Sequence, residues 1–229
     1  MFKLMKLELK KFRIGVKGVT IANLIMLAAI LSIVLISNND NDITLSDYGN
    51  VFYFTSEIVR ATFTIFAAAL ISRIIIGEYK NKTINIMFMY PIKRKKIMVA
   101  KLFIIVIFTF TSMVLSNLFL SFSLYILNIF LRFINEPLTS NMILTNLINL
   151  IVYSAAFTFM SLIPVYVGMV KKSGTATIVS SIILVSVLNS GVNNISLSSF
   201  IIIPIIGAIL GVISSYLALK NIDEVDVIC

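Results

Sequence analysis

The chain has 229 residues, of which 59% are hydrophobic and only 13% are charged, and its mean hydropathy is +1.03. Soluble domains carry about 25% charged residues, so this composition excludes an ordinary soluble domain. A formal net charge of +9 would suggest a nucleic-acid partner in a soluble protein. Here the basic residues lie between apolar runs, which is typical of a membrane surface, and no nucleic acid is expected to bind.

Residues 1–13 combine an apolar stripe and a basic stripe, both at helical spacing. This pattern predicts an amphipathic helix that lies in the plane of an anionic leaflet, in contact with membrane lipids. The long apolar stretch that follows has no convincing small-residue cleavage site, which argues against a signal peptide. The side chains assigned to this membrane-surface helix are Phe2, Lys3, Lys6, Lys10, Phe12 and Arg13.

Long uncharged runs follow, and about 20 residues of helix are enough to cross the hydrocarbon. The runs are continuous rather than alternating, so they predict helices and not a barrel. The turn-forming residues at 189–194 split the last run into two spans. The predicted fold is therefore an all-α integral membrane protein in one transmembrane domain over 1–229, with six spans at about 18–37, 52–77, 100–127, 147–170, 175–191 and 199–219.

The third uncharged run, residues 102–131, is too long for one perpendicular crossing. As a helix it would measure about 45 Å, whereas the hydrocarbon is about 30 Å thick. We expect this span to tilt, to project beyond the membrane, or to break near Ser116–Asn117.

The distribution of Lys and Arg among the loops predicts the orientation. Six of them precede the first span up to Lys17 and seven occur in 78–101, whereas the three loops on the opposite side contain only Arg132. Short cytoplasmic loops carry an excess of Lys and Arg. The chain is thus expected to be multi-pass, with both termini in the cytoplasm.

The basic segment after the second span is the most informative part of the sequence. Residues 78–90 can form a short cytoplasmic helix, because Glu78 suits the positive end of a helix dipole and Pro91 disfavours helix at the residue before it. Ile84, Met87 and Phe88 would form its apolar face, which could contact a soluble partner. From charge alone, a solvated loop on the positive side of the membrane remains an alternative.

This segment resembles the coupling region of bacterial ABC-2-type permeases, which are the membrane subunits of ATP-driven exporters. Members of that family have a Glu at the end of the second span, a Thr, a Pro and an Arg beyond it, and a Lys that opens the third span. The corresponding residues here, in the same order, are Glu78, Thr83, Pro91, Arg94 and Lys101. The sequence departs from the pattern at Lys82, where the family often has Gly. Lys80 and Met87 belong to the same candidate coupling surface.

The resemblance implies a set of partners. The short helix would dock in a groove of a cytoplasmic ABC ATPase, and ATP-driven closure of two ATPase copies would shift the permease from inward-facing to outward-facing. A second permease, identical or different, would complete the pathway. ATP and Mg are expected on the ATPase and no cofactor or metal on this chain, which lacks the Gly-x-x-x-x-Gly-Lys-Ser/Thr phosphate loop.

The resemblance also suggests a cargo and a location. Compact permeases of this size resemble those that export, or give immunity to, peptide toxins, bacteriocins and antibiotics at the bacterial plasma membrane. The expected cargo is therefore a hydrophobic or amphipathic peptide. A lipid or a drug remains open as cargo.

Polar residues within the spans are candidates for the transport path. Glu57 and Arg60 are three residues apart, so they share a helix face and can pair. They could anchor the second span at the interface or form a gate on the path. Asn189 is a further path candidate, because the fifth span is rich in small polar residues. Gly207 and Gly211 fit the spacing for close helix contact, for which packing within the chain is the preferred interpretation over dimerisation.

Two other classes of function are alternatives to a permease. An intramembrane enzyme would need facing catalytic groups, but the chain has no His and no Asp within a span, so no catalytic residue is expected. An ATP-independent channel or a membrane assembly factor remains an alternative, since span five could line a pore. That alternative leaves the pattern from Glu78 to Lys101 unexplained.

Overall fold

A computed structural model describes residues 16–37, 48–77, 94–131, 139–192, 195–196 and 200–220. Two predicted elements, the in-plane helix at 1–13 and the coupling helix at 78–90, lie outside these residues. Within the described residues the chain is helical apart from one short antiparallel pair of strands. The predicted helical membrane architecture is confirmed to that extent.

The helices follow the apolar runs of the sequence. They are α1 (Val16–Ser37), α2 (Tyr48–Ile71), α3 (Arg94–Leu131), α4 (Ser140–Met160), α5 (Ile163–Lys171), α6 (Gly174–Asn189) and α7 (Ile202–Lys220). A π-helical turn, Ser72–Ile76, continues α2. The two-residue strands β1 (Gly191–Val192) and β2 (Ile195–Ser196) pair between α6 and α7, where the turn-forming residues stand.

Four helical stretches of the described chain are long and apolar enough to cross a membrane: Tyr48–Ile76, Lys95–Phe130, Ser140–Lys171 and Ile202–Lys220. Two further apolar helices, Gly18–Ser32 and Gly174–Asn189, are shorter. A multi-pass membrane protein follows from these lengths. The count of six spans stays a prediction.

Helix α3 runs without interruption through 38 residues, so the predicted possibility of a break near Ser116–Asn117 is wrong. At 1.5 Å per residue its length is about 57 Å. A straight helix of that length must tilt or project beyond about 30 Å of hydrocarbon. The interruption occurs instead between α4 and α5, at Ser161–Leu162. It has a local cause, because Pro164 stands in the first turn of α5 and cannot donate a backbone hydrogen bond to α4.

The chain forms two compact units, and the boundaries between them fall within α2, α3 and α4. Of the described residues, unit 1 contains 63–77, 94–110, 155–192, 195–196 and 200–220, and unit 2 contains 16–37, 48–62, 111–131 and 139–154. The hydrophobic core of unit 1 surrounds the π turn, in which Ile74, Ile75 and Ile76 are all buried. The residues that pack with them include Met98, Leu102, Ile105, Leu162, Val165 and Ala218.

Candidate functional site

Unit 2 contains a buried ion pair on α2. The Arg60 Nη2 donates to Glu57 Oε1 at 2.9 Å, and the two side chains are 4% and 13% exposed. Arg60 Nε also donates to the carbonyl oxygen of Ser56 at 3.1 Å. The pairing expected from the spacing of the two residues is present, and it leaves the charges compensated within one helix turn. Compensation of this kind is what a buried guanidinium requires.

A second helix contributes an aromatic ring to the surroundings of the guanidinium. Arg60 Cζ lies 4.6 Å from the centre of the Tyr153 ring, which belongs to α4. A cation over an aromatic face is attracted by the ring quadrupole, and the attraction is strongest where water is excluded. The ion pair on α2 is thus held against α4 by an aromatic contact.

A third helix joins the cluster through hydrogen bonds. Asn117 Nδ2 on α3 donates to Ser56 Oγ at 3.1 Å, and Asn117 is only 3% exposed. Further along the same pair of helices, Asn128 Nδ2 donates to Tyr48 Oη at 2.7 Å. Amide side chains that bond across helices join them where no hydrophobic driving force exists between them. We call Ser56, Glu57, Arg60, Asn117 and Tyr153 the polar cluster.

The polar cluster can respond to helix movement, since α2, α3 and α4 each supply part of it. Separating α4 would expose the guanidinium, and separating α3 would break the bond to Ser56. Glu57 and Arg60 were identified from the sequence by their charge. Tyr153 and Asn117 were not assigned to the path, although an Asn within an apolar run is itself a signal of a contact between helices.

Unit 1 places close helix contacts at the end of α2. The π turn closes with a bond from the Gly77 backbone N–H to the Ser72 carbonyl, and the next residue is Glu78, the first of the predicted coupling segment. A β-carbon added at Gly174 would collide with the Ser72 hydroxyl. One added at Gly168 would collide with Thr177 Oγ1 and lie 3.0 Å from Ile76 Cδ1. The end of α2 therefore packs directly on the α5–α6 corner.

That corner is itself a tight turn. Lys172 adopts a left-handed conformation with φ 46°, and its backbone N–H bonds to the carbonyls of Gly168 and Met169. Ser173 N–H also bonds to the Gly168 carbonyl at 3.3 Å. These bonds close the C-terminus of α5 and let α6 begin two residues later.

The two glycines of α7 meet the end of α4 within the same chain. A β-carbon at Gly207 would lie 2.7 Å from Met160 Sδ, and one at Gly211 would collide with the Phe159 carbonyl oxygen. The intrachain packing expected for this pair is therefore present. Small residues at such a crossing let two helix backbones approach closely.

The remaining predicted site residues are placed as follows. Asn189 is the last residue of α6 and is exposed. Lys101, near the start of α3, is fully buried. Arg94 is the first residue of α3. Outside the described residues lie the coupling candidates Glu78, Lys80, Thr83, Met87 and Pro91, and the membrane-surface residues Phe2, Lys3, Lys6, Lys10, Phe12 and Arg13.

Comparison with known proteins identifies the family. A family model described as "ABC-2 family transporter protein" matches residues 4–189. The chain is 36% identical over 225 residues to the uncharacterized protein YcbO of Bacillus subtilis (strain 168), and the match covers 97% of this chain and 99% of that protein. No solved structure matches the chain. The chain belongs to the ABC-2 transporter family, whose members are membrane transport components that hydrolyse no ATP themselves and work with a separate ABC ATPase.

Proposed function

We propose that this chain is the permease subunit of an exporter that moves a hydrophobic or amphipathic peptide out of a bacterial cell. The observation that carries the proposal is the family match over residues 4–189, which includes the whole pattern from Glu78 to Lys101. In this proposal ATP and Mg are bound by two copies of the ATPase. A second permease completes the path, and both termini of this chain lie in the cytoplasm.

Docking of the ATPase is assigned to the segment around 78–91. Glu78 follows directly on Gly77, where the π turn closes, so a force on that segment acts first on the buried residues 74–76. Lys101 has no exposed surface and cannot contact another subunit in this conformation. Its contribution to coupling is then to hold the start of α3 in place, whereas Arg94 begins that helix and adjoins the docking segment.

The polar cluster is assigned to the path as a gate. Its charges compensate each other, so it can stay closed in an apolar surrounding without a net charge. Contacts from three helices open together when the permease changes conformation. An amphipathic peptide would then meet polar groups in unit 2 amid otherwise apolar spans.

Export by the reconstituted complex tests the proposal. Copies of the chain should co-purify with an ABC ATPase, and Glu78→Gln or Arg94→Gln should abolish ATP-dependent export of an amphipathic peptide from proteoliposomes. Lys96→Gln is the matched control, because Lys96 is an exposed cation in the first turn of the same helix as Arg94. Export that survives both changes, or that proceeds without ATPase, would contradict the proposal and favour an ATP-independent channel.

A further inference from the structure

Two Ser hydroxyls on α3 stand out among the described residues. Within a helix, a Ser or Thr hydroxyl can donate to a backbone carbonyl one turn back. The Oγ atoms of Ser116 and Ser121 are instead buried without a hydrogen-bond partner. Helical residues whose hydroxyl does donate one turn back include Thr55, Thr109, Ser123, Thr145, Ser180, Ser181, Ser214 and Ser215.

Asn117 adds a third unsatisfied group on the same helix. Its Nδ2 is bonded to Ser56, but its Oδ1 is buried without a partner. Asn117 and Ser121 are four residues apart, so they share one face of α3. A buried polar atom without a partner is costly. Three such atoms lie within six residues of α3, and a bound ligand that hydrogen-bonds to them would remove this cost.

The charges and polar groups around these three atoms indicate which chemical class of ligand would suit them. Among the side chains of unit 2 that the structure describes, Glu57 and Arg60 are the charged ones, and they pair with each other. The three orphan groups comprise two hydroxyls, which both donate and accept, and an amide oxygen, which accepts. A neutral ligand that both donates and accepts hydrogen bonds complements these groups. A peptide backbone has this chemistry.

We infer that Ser116, Asn117 and Ser121 form a binding site for the backbone amides of the transported peptide. The inference rests on the proposed export function and specifies what the path recognises. A peptide that crosses the bilayer in an extended form has no internal partners for its backbone amides, and hydrocarbon supplies none, so this site would provide them. A site of this kind selects for a peptide backbone and tolerates varied side chains.

A pair of uncharged probes tests the site. One is a capped hexapeptide of Ala and Leu with an environment-sensitive fluorophore, and the other is the same peptide with N-methylated amides. Purified full-length protein in lipid nanodiscs, without ATPase or ATP, should bind the first on the order of tenfold more tightly than the second, about the effect of one or two hydrogen bonds. Empty nanodiscs correct for partition into lipid.

The matched variants are Ser116→Ala with Ser121→Ala, and Ser123→Ala alone. The double variant should lose the preference for the unmethylated peptide, and its thermal unfolding midpoint should stay equal or rise, because the hydroxyls it removes have no partner. Ser123→Ala should keep the preference, since the Ser123 hydroxyl already bonds to the Phe119 carbonyl.

Three outcomes overturn the inference. They are equal binding of both probes by the unaltered protein, a preference that survives in the double variant, and a lower unfolding midpoint of that variant, which would assign the hydroxyls to structural water. The measurement uses no ATP, so it is independent of coupling. If the Glu78 and Arg94 variants lose export while the purified protein shows no preference for the unmethylated peptide, the exporter proposal is supported and this binding site is contradicted.

Discussion

The Ser72 hydroxyl occupies the space into which a β-carbon at position 174 would project. The two residues join the π turn at the end of α2 to the start of α6. The hydrogen bonds of a π turn span five residues instead of the four of an α-helix, and such turns occur frequently at functional sites. Here the turn immediately precedes the segment assigned to the ATPase, so the contact between Ser72 and Gly174 lies where a movement of that segment would enter the membrane domain.

The first prediction concerns the stability of this contact. Gly174→Ala should destabilise the protein by about 1–3 kcal/mol, because the new methyl group overpacks the space held by Ser72. Adding Ser72→Ala should recover much of that loss, as expected of residues in direct contact. Thermal unfolding in nanodiscs measures both effects.

Gly77→Ala serves as the control for that measurement. Among the described residues, a β-carbon at Gly77 meets only the Ser72 carbonyl oxygen, at 3.5 Å, and Gly77 has helical backbone angles. This substitution should leave stability unchanged or slightly raised. If Gly174→Ala unfolds no earlier than Gly77→Ala, the close packing of α2 on α6 is refuted.

The second prediction is a reversible lock at the same place. A β-carbon at position 174 would lie 3.4 Å from the Ser72 Cβ, near the 3.5–4.5 Å that disulfides require. In a Cys229→Ser background, S72C/G174C should cross-link on mild oxidation and stop ATP-dependent export, and a reductant should restore export. The single S72C variant should export under both conditions. Full export by the cross-linked protein would show that this contact does not move during transport.

The third prediction separates a gate from an anchor at the polar cluster. Arg60→Met alone should destabilise the protein by about 3–5 kcal/mol, because it leaves the Glu57 carboxylate buried without its cation. Glu57→Leu with Arg60→Met should restore stability, since an apolar pair of similar volume removes both desolvated charges. Unfolding midpoints and export rates of the same preparations give the two readouts.

If the cluster gates the path, the double variant folds normally and exports poorly. Tyr153→Phe keeps the aromatic face over which Arg60 Cζ lies at 4.6 Å, so it separates the contribution of the Tyr153 hydroxyl from that of the aromatic ring. Normal export by the stable double variant would identify the ion pair as an anchor of α2 and remove it from the transport path.

Local sequence rules predicted the contacts that lie within one helix turn or one apolar stripe. The pairing of Glu57 with Arg60 follows from a spacing of three, and the close approach of α7 follows from Gly207 and Gly211. In each case the sequence separation fixes which side chains share a face. The family resemblance was likewise contained in a single stretch of the chain.

Contacts between distant residues were beyond these rules. The placement of Tyr153 over Arg60 and of Asn117 beside Ser56 depends on how three helices are rotated about their axes, and uniformly apolar spans carry little periodic signal for that rotation. The π turn was missed for a related reason, because its three successive buried Ile residues look the same in a lipid-exposed helix. The uninterrupted α3 shows that a polar pair such as Ser116–Asn117 does not by itself break a helix.

The fourth prediction uses the two glycines of α7 as a matched pair. Gly211→Ala should destabilise the protein by about 1–3 kcal/mol, because its β-carbon would collide with the backbone carbonyl of Phe159, which cannot move without displacing α4. Gly207→Ala should cost less, because the atoms in its way belong to the flexible Met160 side chain. Equal unfolding midpoints would indicate that α7 is free to shift against α4.

The fifth prediction decides the number of crossings. Helix α6 has only 16 residues and is about 24 Å long, which is less than the hydrocarbon thickness of about 30 Å. Whether α6 crosses the membrane therefore decides the count. If α6 spans the membrane, Lys172 before it and Ser190 after it lie on opposite sides.

In a Cys229→Ser background, an impermeant thiol reagent applied to intact cells should label Ser190→Cys and leave Lys172→Cys and Asn81→Cys unlabelled. Asn141→Cys, at the exposed start of α4, should be labelled as an external reference. Label on Asn81→Cys would place the coupling segment outside and withdraw the ATPase from this chain, whereas label on neither Ser190→Cys nor Lys172→Cys would reduce the count below six.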